Sequence, residues 1–354
     1  MNLFEQIDAK FKIFCEEDNL KYIGLVSLQS EPDYRRFNDW LAAGKHAGMG
    51  YLENHSHCRE DPRNLHPEVK SALVVALNYN QGDKRFTGKA FPRVAQYARI
   101  RDYHKILKKR LISVLEKLKV DMDLSFNYRV ITDSAPIMER ALAARIGKGF
   151  IGKNTCYIDS QEGSWLLLAE ALLTLKFEIP KRSVVLQNKR TSQGGCGSCT
   201  RCQIYCPTGA LSQDYQLDAR KCFAYYSIEH RGVIPEEFWH VFKYYWFGCD
   251  ICQLVCPYNR KASIESSLPF RIDDGIDLFE VAIMDQIFYE KTFGGSPMTR
   301  AKKEGLQRNA LISLFVNADK RLGKAIELIK PNATDVLYAT IEQIETRLSV
   351  GQMP

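Results

Sequence analysis

Two stretches decide the architecture: C-G-S-C-T-R-C-Q-I-Y-C-P from Cys196 to Pro207, and its echo C-D-I-C-Q-L-V-C-P from Cys249 to Pro257. In the first, three cysteines are spaced by two residues. A fourth follows after three more, with proline behind it. This is the bacterial ferredoxin spacing for a 4Fe–4S cluster, in which the fourth cysteine ligates the other cluster. One tight loop aims three thiolates at three irons, and proline turns the chain toward the second site. Seven cysteines in this pattern favour iron–sulfur binding over zinc or disulfides.

Ligand bookkeeping sharpens the reading. Two cubane clusters need eight thiolates. The echo supplies only Cys249, Cys252 and Cys256, so one ligand comes from elsewhere. Cys222 lies between the motifs and is the expected eighth. With the ferredoxin crossover, Cys196, Cys199, Cys202 and Cys256 share one cluster, and Cys206, Cys222, Cys249 and Cys252 share the other. Cys15, Cys58 and Cys156 read as buried small hydrophobes. Ten aromatic residues lie between Cys222 and Cys249, and they read as a core that keeps water from a cluster.

The chain has 354 residues, enough for two or three domains. Hydrophobic residues make up 45% and charged residues 26%, an ordinary globular balance. The net charge of +7 permits a polyanionic partner without demanding one. The start shows no secretory pattern, no twin-arginine signal appears, and no apolar run is long enough to span a bilayer. Eleven cysteines without a signal peptide fit a reducing compartment, so a cytoplasmic, membrane-free protein is expected.

Up to residue 180, helical and strand-like patterns alternate. Helices are expected at 3–17, 32–43, 101–120 and 136–146, and strands at 22–28, 71–79, 128–132, 156–158 and 165–175. This alternation predicts an α/β domain over 1–180. The polar stretch 181–195 reads as a linker into a ferredoxin-like two-cluster domain at 181–265. Residues 266–354 read as helical, with three amphipathic helices resembling one HEAT-type repeat. The fold class is therefore mixed α/β and α+β.

No dinucleotide fingerprint or P-loop is present. Asp102-Tyr103-His104 begins like a cobalamin histidine motif, but Leu107 stands where the motif has glycine, so His104 reads as a surface residue. Asp133 ends a strand and precedes a helix; a backbone-capping role and a ligand role are both open there.

The chain resembles the epoxyqueuosine reductase family over nearly its whole length. The resemblance rests on Tyr97-Ala98-Arg99 with Arg101 to His104, on Thr132-Asp133-Ser134, on Gly149 to Asn154, and on the cysteine motifs. The blocks Ser227 to Pro235 and Phe247 to Cys252 are the most specific. The resemblance implies reduction of the epoxide of epoxyqueuosine at the wobble position of a tRNA anticodon. It implies cobalamin in the first domain, with its own base detached from cobalt, fed by two 4Fe–4S clusters. It implies Asp133 as proton donor to the opening epoxide, with a pKa raised by burial beside the corrin. Corrin contacts would come from Tyr97, Asp133, Lys153, Tyr157, Ala224 and Asp250. A small low-potential donor such as flavodoxin or ferredoxin would supply electrons to a monomeric enzyme. The tRNA phosphates need cations; the expected sources are the 105–110 face, Lys181-Arg182, Lys189-Arg190, Arg300, Lys302 and Lys303. Two rival readings are a cobalamin-dependent reductive dehalogenase and a ferredoxin-type electron carrier without catalysis.

Overall fold

Helix α1 (Leu3–Glu17) starts at a capping box: Asn2 Oδ1 accepts the Glu5 N–H, and the Glu5 carboxylate accepts the Asn2 N–H, both at 2.9 Å. The computed structural model describes residues 2–82, 92–177, 195–265, 267–268, 272 and 275–351. Lys181-Arg182, Lys189-Arg190, nearly all of the expected linker and most of the 81–92 loop lie outside the described residues.

The first part continues as β1 (Lys21–Ser27), α2 (Tyr34–Ala42), α3 (Ser56–Glu60), β2 (Ser71–Asn78), β3 (Arg93–Val94) and α4 (Tyr103–Asp121). It ends with β4 (Tyr128–Ile131), α5 (Glu139–Ile146), β5 (Gly149–Ile151), β6 (Tyr157–Asp159) and β7 (Leu166–Leu173). Strands and helices alternate as the periodicity predicts. The main sheet has the order β1-β2-β7-β4, and every pairing in it is antiparallel. Hydrophobic alternation does not carry strand direction, so the α/β expectation resolves to an α+β layer arrangement. Leu73, Val75 and Leu77 face one side with α1 and α4, and Val74 and Ala76 face the other with α5. Both faces are covered, which is why Ser71 to Leu77 reads as an unbroken buried run.

The cysteine region holds three short helices, α6 (Arg201–Ile204), α7 (Phe223–Ile228) and α8 (Ile251–Leu254), with β8 (Tyr245–Phe247) before the echo motif. Strand β8 pairs in parallel with β3, joining this region to the first part. The remainder is helical: α9 (Leu278–Ile283), α10 (Gln286–Phe293), α11 (Lys302–Val316), α12 (Leu322–Ile329) and α13 (Asp335–Ser349). Helix α11 packs against α9, α12, α13 and the 3-10 turn Glu236–Lys243.

The aromatic-rich segment forms a core against which Cys249 packs, and that core extends into the C-terminal helices. Phe223, Phe238, Trp239, Phe242, Trp246 and Phe247 share one core with Leu306, Leu311, Phe315 and Ile341. They fasten the cysteine region to the C-terminal helices; Tyr244 alone among them stands well exposed, at 56%. Arg308 completes this joint. Its guanidinium is buried and donates to the carbonyls of Tyr226, His230 and Gly232 at 2.7–2.9 Å. Asn309 donates to the carbonyls of Ser227 and Trp246. Among the described residues, no helix is long and apolar enough to cross a membrane.

Candidate active site and cluster-binding loops

Asp133 sits two residues beyond β4, in the turn that leads into α5. Its backbone is left-handed, with φ of 52°, a conformation that costs most side chains more than it costs aspartate. Three contacts hold the turn. The Tyr103 hydroxyl donates to Asp133 Oδ2 at 2.8 Å. The Asp133 N–H donates to Glu139 Oε1 at 2.8 Å. His104 Nε2 stands 3.8 Å from Asp133 Oδ2, an ion-pair distance longer than a hydrogen bond. The Asp133 side chain itself is 62% exposed, so the aspartate faces solvent from a fixed base.

The helix start of α4 builds the other wall. Asp102 caps it by accepting the His104 N–H, and Asp102 Oδ1 lies 2.7 Å from His104 Nδ1. The His104 ring stacks on Tyr103, with centroids 4.1 Å apart. Asp133 first, and Asp102 after it, push the His104 pKa up against the opposing pull of burial. Burial, then the Asp133 charge, pushes the Tyr103 phenol far up, so it remains a donor. His104 thus stands beside Asp133 with its side chain still 40% exposed at the start of a basic helix. Its placement beside a capping aspartate at a helix start was the available signal.

Tyr97 joins this group to the second cysteine loop. Its hydroxyl lies in the fields of Asp133 and Asp250, and burial is the main cause that pushes its pKa up. Its ring borders Gly248, where an added Cβ would stand 2.6 Å from the Ala95 Cβ and 3.7 Å from the Tyr97 ring. Gly248 also has φ of 64°, so the approach of the loop to Tyr97 depends on that glycine. Asp250 is buried and accepts the Gln96 N–H at 2.8 Å.

Ala224 follows Cys222 at the start of α7, where the N–H groups of Ala224 and Tyr225 point at the Cys222 sulfur. Lys153 and Tyr157 stand elsewhere. The Lys153 N–H reaches Cys196 Sγ at 3.4 Å, and its ammonium pairs with Asp214 at 3.0 Å. Tyr157 is 4% exposed in the core against α5, with its hydroxyl close to Gly149. Neither contacts Asp133, Tyr97 or Asp250 through any bond among the described residues.

The thiols fall into two neighbourhoods. Cys202 is pushed up to about 11 by burial and then by Cys196, Cys256 and Cys199. Cys249 is pushed up by burial and then by Cys222, Asp250 and Cys206. Cys252 belongs with Cys249 and Cys222. Among the described residues, no three His, Cys, Asp or Glu groups close on a single metal ion. Of the three cysteines read as small hydrophobes, Cys15 and Cys58 are buried in the first part. Cys156 instead meets the Cys252 thiol. Asn154 brackets the two, accepting the Cys156 N–H at 3.2 Å and donating to the Cys252 carbonyl at 3.4 Å.

The cation sources separate as well. Lys105, Lys108 and Lys109 are exposed on α4, the first directly after His104 and the other two about one turn further on. The Asp102 N–H donates to the Gly295 carbonyl at 2.9 Å, which brings the segment ahead of Arg300 to the same rim. Arg300 pairs with Glu229 at 2.9 Å and lies over the Tyr51 ring at 5.2 Å. Arg231 donates to the Arg300 carbonyl at 2.7 Å, so the Ile228 to Gly232 block holds this rim in position.

Residues 195–259 match the 4Fe-4S double cluster binding domain, and with the site above they define an iron–sulfur oxidoreductase. Residues 59–134 match the domain described as epoxyqueuosine reductase QueG, DUF1730. The epoxyqueuosine reductase of Xanthomonas campestris pv. campestris is 35% identical over 317 residues, covering 86% of this chain and 86% of its own. That of Escherichia coli K12 is 30% identical over 355 residues, covering 97% of this chain and 91% of its own. The structure of epoxyqueuosine reductase from Streptococcus thermophilus superposes with a TM-score of 0.78 at 26% identity, covering 96% of this chain and 88% of that one. An epoxyqueuosine reductase crystallised with an epoxyqueuosine-modified tRNA-Tyr stem loop superposes with a TM-score of 0.77 at 25% identity, covering 95% of this chain and 88% of that one. The chain belongs to the epoxyqueuosine reductase family.

Proposed function

We propose that this protein reduces the epoxide of epoxyqueuosine at the tRNA wobble position to queuosine, with Asp133 as proton donor and with cobalamin and two 4Fe–4S clusters as cofactors. The observation that carries the role of Asp133 is its exposed carboxyl on a turn held by Tyr103 and Glu139. The family relationship supports the activity over the dehalogenase and electron-carrier readings.

The donor set fits the clusters. Cys196, Cys199, Cys202 and Cys256 hold one, and Cys206, Cys222, Cys249 and Cys252 hold the other. The clusters supply single electrons from a small protein such as flavodoxin or ferredoxin. Cobalamin would lie between Asp133 and the Cys249 loop, whose close approach to Tyr97 depends on Gly248. Tyr97, Asp133, Ala224 and Asp250 hold it there, while Lys153 secures the Cys196 loop. Bound there and reduced, cobalamin supplies a strong nucleophile for an epoxide carbon. Ring opening develops negative charge on oxygen, and Asp133 delivers a proton to that oxygen. Tyr103 orients the carboxyl by donating to its other acceptor site. The exposed Tyr51 ring, backed by Arg300, offers a stacking face for an unpaired anticodon base. Lys105, Lys108 and Lys109 meet the phosphates.

The division into 1–180 for cobalamin, 181–265 for the clusters and 266–354 for tRNA belongs to the same proposal, as does a monomeric enzyme. The test is reduction of epoxyqueuosine-containing tRNA by the reconstituted protein with a low-potential donor, followed by nucleoside analysis. Queuosine is the expected product, with about eight irons per chain. No queuosine from a protein loaded with iron and cobalamin would overturn the proposal.

A further inference from the structure

Residues 152–156 form the turn between β5 and β6, and they reach both cysteine sets. At one end the Lys153 N–H donates at 3.4 Å to the sulfur of Cys196, which belongs to the first set. At the other end the side chains of Cys156 and Cys252 are hydrogen-bonded, and Cys252 belongs to the second set. Cys156 also acts on Cys222 of the second set and on Cys256 of the first. It therefore stands between the two sets, yet it lies outside the eight thiolates that the two clusters need.

Local bonds hold the turn in this position. The Gly152 N–H donates to the Cys156 carbonyl at 2.9 Å, and the Thr155 N–H donates to the Gly152 carbonyl at 2.8 Å. Arg140 donates to the Thr155 carbonyl. Asn154 is buried; it accepts the Cys156 N–H at 3.2 Å and donates to the Cys252 carbonyl at 3.4 Å. One amide side chain thus fixes the backbone behind both sulfurs.

Iron binds cysteine as the thiolate, which has no proton to give. With iron on Cys252, the proton of this pair is that of Cys156, and its S–H donates to the Cys252 sulfur. Reduction adds negative charge to a cluster and its sulfurs, so a donor on a ligand sulfur favours the reduced form. Backbone N–H groups serve the sulfurs of Cys222 and Cys249 in this way, and the Cys156 thiol brings a donor to Cys252. We propose that Cys156 is a positioning residue that raises the reduction potential of the second cluster through an S–H···S bond to Cys252. Electrons then gather on the cluster whose Cys249 loop borders Tyr97. The inference rests on the reading of Cys206, Cys222, Cys249 and Cys252 as the ligands of that cluster. One electron enters the cluster, no bond is made or broken, and Cys156 keeps its proton.

The test is a redox titration of the holoenzyme, followed by the electron paramagnetic resonance of the reduced clusters. The midpoint that is lost in Cys222→Ala belongs to the second cluster. Cys156→Ala should keep about eight irons per chain. At a fixed solution potential, its ratio of reduced to oxidised second cluster should fall about tenfold, a shift of about 59 mV for one electron. The first cluster should titrate as in the wild type. Cys156→Ser keeps a donor at this position and should recover most of the shift. An unmoved second midpoint in Cys156→Ala, or an equal shift in Cys156→Ala and Cys156→Ser, overturns the role of the S–H bond. Only about four irons in Cys156→Ala would make Cys156 itself a ligand and overturn the ligand assignment instead.

Discussion

Replacing Arg308 by leucine probes the joint between the cysteine region and the C-terminal helices. The side chain is buried, and burial lowers its pKa to about 10. Its guanidinium serves three backbone carbonyls, those of Tyr226, His230 and Gly232, and also Asn309 Oδ1. Leucine leaves those carbonyls without a donor, and each orphaned acceptor costs about 1–3 kcal/mol. Removing a buried cation recovers part of that cost. The expected net loss is about 3 kcal/mol, read as a fall in the urea midpoint with an unchanged slope. The damage should spread to the second cysteine loop, because Asn309 holds the Trp246 carbonyl and Ser227 Oγ accepts the Gly248 N–H. Iron retention during dialysis against a chelator should therefore fall in parallel. A loss below about 1 kcal/mol, with iron retained as in the wild type, would refute the reasoning.

Three further outcomes are expected. Cys222→Ala should leave about four irons per chain, because the Cys206–Cys249–Cys252 set loses its fourth thiolate; elemental analysis reads this directly. Tyr51→Ala should weaken binding of an anticodon stem loop about tenfold, the worth of one base stacked on an aromatic ring, with an unchanged salt slope. His104 has a raised pKa, so its charged form stabilises the fold fully below about 6.5 and loses that contribution as pH climbs past the raised value. Thermal unfolding of His104→Gln across that window should show a flatter pH dependence than the wild type.

The cysteines were legible because ligation imposes a spacing on the chain that packing does not. Helix and strand limits were legible for the same kind of reason: α1, β2, α4 and α11 carry their periodicity in a few neighbouring residues. Strand direction was not, since Leu166 to Leu173 reads alike in parallel and antiparallel pairings. The hidden parts of the site are those whose roles are set by distant chain. Glu139 looks like an ordinary acidic residue in a first helical turn until the Asp133 N–H is found on it. Arg308 carries no local signal of burial, because the carbonyls it serves lie about eighty residues away. Cys156 passed for packing because its partner, Cys252, lies in another segment.

The central claim is that Asp133 protonates the opening epoxide. It is tested most directly by single-turnover reduction of epoxyqueuosine-containing tRNA with wild type and Asp133→Asn, each loaded with cobalamin and about eight irons. The asparagine can still accept from Tyr103 and hold the turn, so iron content and tRNA affinity should match. Queuosine formation should slow by about 10²–10⁴-fold. Equal rates in the two proteins would contradict the account.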